Sequence, residues 1–250
     1  MARNKKILVI QPNTTEQVTK RMGEYARKIA SSGVQVDVMQ PQASASYTVP
    51  GIISFYDKTL ATVETLKLVE RYSKNYDGIV IGVFTDVGLD EVREAVSIPV
   101  LGMGEAAYHM AYILGHKICA LTFTGKWTAL KERYIKILGL DASRISFSPL
   151  PLKKTGEMEF SVEKTVKEGI DFVRRAAREG AEVVILGGSA FVGLSEEIGK
   201  QVDIPVIDPF AVALKIMEGL IDLGLKHSKI GIYQNAPEKL GDVKYLRSLK

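Results

Sequence analysis

Three short segments set amides, hydroxyls and glycines at the ends of apolar runs, the kind of place where a small polar ligand is held. Gln11-Pro12-Asn13-Thr14-Thr15-Glu16-Gln17 offers an Asn amide, two hydroxyls and free backbone N–H groups to an anion or a ureide. The spacing of Thr14 and Gln17 is also that of a capping box at a helix start, and the two roles are compatible. Thr122-Phe123-Thr124-Gly125 and Gly187-Gly188-Ser189-Ala190 repeat the theme. Taken singly, each reads equally well as a tight connection with a hydroxyl cap. Together they nominate Asn13, Thr14, Thr124 and Ser189 as ligand-holding residues, and Thr85, just after the Gly78 to Phe84 run, is a fifth. The proton carriers nearest these segments are Asp86, Glu105 and His109, the last two spaced i, i+4 on one helix face. Asp86 is the first choice for general acid or base, with a cap on the helix opening at Gly88 as its structural alternative. For Glu105 and His109 the alternative is a structural pair.

The elements that must position these groups alternate regularly. Ile7 to Ile10, Val34 to Met39, Gly78 to Phe84, Pro99 to Leu101, Ile118 to Phe123, Ile145 to Phe147, Glu182 to Leu186 and Pro205 to Ile207 read as strands. Between them, Glu16 to Ala30, Ala61 to Ser73, Glu105 to Leu114, Thr128 to Leu138, Val162 to Glu179 and Ala211 to Leu223 carry apolar residues at helical spacing. Such βαβα order predicts an α/β fold of parallel sheets with helices on both faces. In such sheets the ligand crevice lies beyond the carboxyl ends of the strands, where the three segments fall.

The chain also echoes itself. Asp77 to Leu89 resembles Ala181 to Leu194, and each copy then runs through a charged helix to Ile-Pro-Val, at Ile98 to Val100 and at Ile204 to Val206. Two related lobes follow, residues 1–110 plus 208–250 forming the first and 111–207 the second. Val83 and Gly188 occupy equivalent places in the two copies.

Pro12-Asn13-Thr14-Thr15 resembles the Asn-Pro-Asn-Thr motif near the start of hydantoin and allantoin racemases, with Gln11 at the motif's first place. Phe84-Thr85-Asp86-Val87-Gly88-Leu89 is similar to the family's Cys-Phe-Gly-Asp-Pro-Gly-Leu, with Val83 where the cysteine stands. Pro99-Val100-Leu101-Gly102-Met103-Gly104-Glu105-Ala106 is similar to Pro-Val-Ile-Gly-Ile-Gly-Glu-Ala. Leu186-Gly187-Gly188-Ser189-Ala190 resembles the second cysteine motif, Leu-Gly-Cys-Ala-Gly, with Gly188 in the cysteine's place, and Pro205-Val206-Ile207-Asp208 resembles Pro-Val-Ile-Asp. The ordered set, running from Ile7 to about Leu223, resembles the aspartate/glutamate/hydantoin racemase superfamily.

That resemblance implies two pseudosymmetric flavodoxin-like lobes with an interlobe cleft, and substrates that are small carboxylates, amino-acid derivatives or cyclic ureides. It also implies one thiol on each face of a stereocentre. The side chains of Val83 and Gly188 carry no proton, and each positioned acid–base group is worth about 10²- to 10⁴-fold in rate. A cysteine-independent reaction is therefore expected. Two alternatives stand beside it: a noncatalytic metabolite binder on the same scaffold, and a lyase or hydrolase using Asp86 or a bound water. Gly187-Gly188-Ser189 also opens like a Gly-x-Ser-x-Gly elbow, with Asp208 and His227 following in hydrolase order. Phe191 at the final glycine position argues against it.

The bulk composition sets outer limits. In 250 residues, 46% are hydrophobic and 25% charged, a balance that favours a packed core over disorder. The net charge of +4 is spread without a basic stripe, so neither nucleic acid nor membrane is an expected partner; a small-molecule substrate is, and a homo-oligomer is compatible. Ile7 to Ile10 is too brief an apolar block for a signal-peptide core or a membrane span, which leads us to expect a cytoplasmic enzyme. The single cysteine, Cys119, excludes an intrachain disulfide and a cysteine-rich metal site. It precedes a strand end and is expected to be a small buried hydrophobe. No cofactor or metal is expected. Tyr47, Phe55 and Tyr56 fall in a connection able to line or cover the cleft.

Overall fold

The computed structural model describes residues 4–122, 125–149 and 161–235, with the backbone alone at 125–127. In the first half, β1 (Lys5–Ile10), β2 (Val34–Met39), β3 (Gly78–Ile81) and β4 (Val100–Gly102) alternate with α1 (Glu16–Ile29), α2 (Phe55–Tyr72) and α3 (Leu89–Ala95). The second half repeats the plan with β5 (Ile118–Thr122), β6 (Ile145–Pro149), β7 (Val183–Ile185) and β8 (Val206–Ile207), separated by α5 (Gly125–Ile137), α6 (Val162–Arg178) and α7 (Ser195–Gly199). Helices α4 (Met103–Leu114) and α8 (Pro209–Asp222) follow the last strand of each half.

Two four-stranded sheets result, in the orders β2-β1-β3-β4 and β6-β5-β7-β8, every pair parallel. The identical order gives the internal echo a structural counterpart. Gly88 and Gly193, equivalent in the echo, both adopt left-handed backbone, with φ of 72° and 81°.

Parallel strands covered on both faces must be apolar on both sides, and the central strands are. Ile7 and Val9 face a cluster with α1 and α8, whereas Leu8 and Ile10 face one with α2 and α3. In the second sheet Cys119 and Leu121 point toward α6 and α7, and Ile118 and Ala120 toward α4 and α5.

Each half lends its last helix to the other. Phe210, Ala213, Leu214 and Met217 of α8 join the core of the first sheet, and Ala107, Tyr108 and Ala111 of α4 join that of the second. A Cβ at Gly78 would come 2.4 Å from the Met217 sulfur, so the glycine lets α8 lie close to β3 without displacing that side chain. The expected boundary at residue 110 falls inside α4, whose Met103 and Ala106 pack in the core of the first sheet while Ala107, Tyr108 and Ala111 pack in that of the second.

Two local features depart from the sequence reading because of local hydrogen bonds. Helix α2 begins at Phe55, six residues before the expected start, because Ser54 accepts from the Asp57 N–H at 3.0 Å and Asp57 accepts from the Ile53 N–H at 3.0 Å. Its first turn leaves Phe55 and Tyr56 exposed, so apolar periodicity does not announce it. Ser54→Ala should cost about 1 kcal/mol in chemical denaturation. Conversely, β3 stops at Ile81 instead of Phe84, and the chain turns so that the Asp86 N–H donates to the Val83 carbonyl at 3.1 Å.

Candidate active site where the strand ends meet

The loop after β1 is tied down by its own side chains. Gln11 is buried; its amide nitrogen donates to Asn13 Oδ1 at 2.7 Å and its Oε1 accepts from the Asn13 N–H at 3.1 Å. Asn13 Oδ1 also accepts from the Thr15 N–H at 3.0 Å, an Asx turn. The expected Thr14/Gln17 capping box is not formed. Thr14 instead donates through its backbone N–H to the Val49 carbonyl at 3.1 Å, the Thr15 hydroxyl donates to the Pro50 carbonyl at 2.9 Å, and α1 starts without a side-chain cap. The connection between β2 and α2 takes those donors, a long-range choice that local spacing does not reveal.

Asp86, after β3, is the one non-glycine residue with positive φ among the described residues, at 47°. Its buried carboxylate accepts from the Gly104 N–H at 2.8 Å, the Glu105 N–H at 2.6 Å and the Tyr134 hydroxyl at 2.9 Å. It therefore caps α4, not the helix opening at Gly88. An ideal Cβ at Gly102 would lie 2.3 Å from the Asp86 Cγ, so the carboxylate fills the space of a side chain at 102. The echo aligns Gly102 with Asp208, whose own carboxylate accepts from the Gly193 N–H at 2.6 Å and the Phe210 N–H at 2.9 Å. Each half thus buries one carboxylate against the helix it lends away, supplied from opposite sides of the same junction. Burial pushes the Asp86 carboxyl up to about 7 against the pull of its donors, and Asp208 up to about 6.

Glu105 pairs with the buried Arg93 of α3, which also donates to the Val100 carbonyl. His109 lies exposed, so the pairing expected between these two is replaced by Glu105–Arg93. The hydrolase-like trio is dispersed: Asp208 caps α8, the His227 ring contacts the Val100 backbone at the edge strand, and Ser189 opens a short turn after β7. Thr124 lies outside the described residues. Phe55 and Tyr56 start α2, and Tyr47 sits beneath the Lys67 amine at 5.0 Å.

The loops bearing Val83 and Gly188 come together. A Cβ at Gly187 would be 2.3 Å from Phe84 Cε1 and 2.4 Å from the Leu121 carbonyl oxygen, so the residue after 83 is seated on the residue before 188. Arg21 of α1 donates to the Ala190 carbonyl at 2.7 Å, and the Tyr25 ring lies 3.1 Å from a Cβ built at Gly193. Helix α1 of the first half thus braces the loop of the second.

Around Phe84 lie groups that inspection of the sequence passed over. The Lys131 amine of α5 stands 3.6 Å above the Phe84 ring centroid, and the Tyr108 ring is 5.2 Å away. Lys131 is 6% exposed, and burial pulls its amine down to about 7, with the Asp86 carboxylate pulling the other way. The hydroxyls of Thr85, Tyr108 and Thr122 are buried and find no hydrogen-bond partner among the described residues. Buried hydroxyls are nearly always paired, so three unsatisfied ones on neighbouring elements point to a ligand or ordered water. The one available signal for Lys131 is its i, i+3 and i, i+4 spacing from Tyr134 and Ile135, which puts it on the inward stripe of α5.

Cys119 is remote in character from this region. It is 3% exposed, burial pushes its thiol up, and it borders a cavity of about 290 Å³ at the opposite, amino-terminal ends of β5 and β6. Among the described residues no three His, Cys, Asp or Glu side chains gather as a metal site, and no helix is long and apolar enough to cross a membrane.

Comparison with known proteins gives a consistent answer. A hydantoin racemase from Paenarthrobacter aurescens is 29% identical over 242 residues, covering 94% of this chain and 98% of the relative. An allantoin racemase from Klebsiella pneumoniae superimposes with a TM-score of 0.84 at 27% identity, covering 93% of this chain and 94% of that one. A second, from Pseudomonas fluorescens, gives 0.79 at 29%, covering 92% and 97%. Arylmalonate decarboxylase, at 13% identity and a TM-score of 0.59, shares the fold. The family model for Asp/Glu/hydantoin racemases matches residues 7–217, from the first strand into the last helix, and this chain belongs to that family.

Proposed function

We propose that this racemase-superfamily protein is an enzyme that removes and returns the proton of an acidic C–H centre in a cyclic ureide or a related small amino-acid derivative, without a thiol at the reacting centre. The observation that carries this reading is the seating of Phe84 on Gly187, which brings the loops of Val83 and Gly188 together although neither side chain can ionise. Polar groups at the carboxyl ends of the strands favour a neutral ligand with carbonyl and N–H edges: after β1 an Asn13 amide braced by Gln11, and on the elements nearer the contact the hydroxyls of Thr85, Tyr108 and Thr122, without a partner among the described residues. Relatives named hydantoin and allantoin racemases support the same substrate class.

The test is incubation in D2O with 5-benzylhydantoin, allantoin, aspartate and glutamate, following the α-proton by NMR. Enzyme-dependent exchange of a ureide is the expected outcome. A new product without exchange would instead indicate lyase or hydrolase chemistry. A ligand that raises the melting temperature yet stays unchanged would indicate a binding protein.

A further inference from the structure

A lysine amine is seldom buried without a carboxylate or carbonyl to receive its protons. Lys131 is 6% exposed, and no described residue hydrogen-bonds or ion-pairs with its amine. The nearest buried carboxylate, Asp86, is occupied by the Gly104 and Glu105 N–H groups and the Tyr134 hydroxyl. What the amine does contact is the face of Phe84, the ring that abuts Gly187. It is therefore held at the junction between the strand ends of the two halves, over a ring whose neighbour in sequence, Thr85, and neighbour in space, Tyr108, carry hydroxyls with no partner among the described residues.

We propose that the Lys131 amine is the proton carrier of this site, standing in for the thiols that positions 83 and 188 lack. The proposal rests on the reading that the site exchanges a C–H proton. In the forward step the neutral amine takes the proton: the C–H bond breaks, an N–H bond forms, and the C–H electron pair moves into the adjacent carbonyl to give an enolate. A nearby hydroxyl hydrogen-bonds the enolate oxygen, and the ammonium then returns a proton to the carbon. Both protonation states are accessible: burial favours the neutral amine, while the Phe84 ring and the Asp86 carboxylate favour the ammonium. A base whose proton affinity lies near neutrality is the efficient kind at neutral pH. One base serves one face of the carbon, so deuterium should appear in the recovered starting enantiomer faster than optical activity is lost.

The test uses the full chain, Lys131→Met and Lys131→Arg, with 5-benzylhydantoin and allantoin in D2O, alongside a ¹³Cε-lysine NMR titration and a thermal melt. The expected result is a lysine signal titrating near pH 7 that vanishes in folded Lys131→Met, whose exchange rate falls by about 10²-fold or more. Exchange kept within twofold in Lys131→Met, or no lysine titrating below pH 9, overturns the role of Lys131 and leaves the proposed function standing. A wild type that exchanges neither ureide overturns both. Lys131→Arg separates charge from proton transfer, since an arginine keeps the cation but cannot give up its proton; recovery of exchange by this variant would also count against the proposal.

Discussion

Gly187→Val is expected to abolish enzyme-dependent α-proton exchange and to lower stability by about 3 kcal/mol, read by D2O NMR and by denaturant melts. The first branch atom has nowhere to go. A Cβ at this position would sit 2.3 Å from Phe84 Cε1 and 2.4 Å from the Leu121 carbonyl oxygen, and the latter is backbone at the end of a central strand. Phe84 would have to leave, and with it the surface that supports the Lys131 amine and packs on Tyr108. Gly199→Val is the control: a Cβ there meets nothing within 4 Å, so its effect should stay within about 1 kcal/mol and leave exchange intact.

Asp86→Ala should destabilise the fold by about 3 kcal/mol at pH 5, because it strands two helix-terminal N–H groups and the Tyr134 hydroxyl in a buried place. The same substitution should alter how stability depends on pH, in a direction fixed by linkage. Unfolded, this carboxyl releases its proton near 3.8; folded, it holds the proton to about 7. Between those values the folded chain binds more protons than the unfolded one, so wild-type stability falls as pH rises from about 4 to about 7. Asp208, held to about 6, acts in the same direction over the lower part of that window. Lys131 acts oppositely: its ordinary value is 10.5 and its folded value about 7, so stability rises with pH between them. These three groups together therefore place a local minimum of stability near pH 7. Asp86→Ala should flatten the acid side of that minimum, so its deficit shrinks at pH 8, where the wild-type carboxylate is charged and buried. An Asp86→Ala deficit that grew with pH would contradict the buried, proton-holding carboxyl.

The large outline of this molecule is legible from residues alone because strands buried on both faces demand apolar runs. Ile7 to Ile10 and Val183 to Ile185 announce themselves, and the repeated Ile-Pro-Val segments mark β4 and β8. The partners of the polar side chains are another matter. Asp86 lies two residues before Gly88 in sequence, which suggests a cap on α3, yet its carboxylate accepts from the first turn of α4, which follows the neighbouring strand β4. Glu105 and His109 share a helix face on paper, but Arg93 approaches from α3 and takes Glu105, leaving His109 exposed. Lys131 sits beside Glu132 and Arg133 in a helix with apolar residues at helical spacing, where a lysine ordinarily takes the solvated face. Only the docking of α5 against Phe84 turns that one lysine inward. Each difference arises from an interaction between segments distant in sequence, which local periodicity does not encode.

A thiol-independent reaction has one direct check, since Cys119 is the single cysteine and Cys119→Ala leaves a chain with no sulfhydryl at all. The measurement is the rate of deuterium incorporation into a ureide by that variant beside the wild type. Equal rates are predicted, because residue 119 is enclosed in β5 and its thiol is held protonated by burial. Loss of incorporation in a Cys119→Ala protein that melts like the wild type would contradict the account.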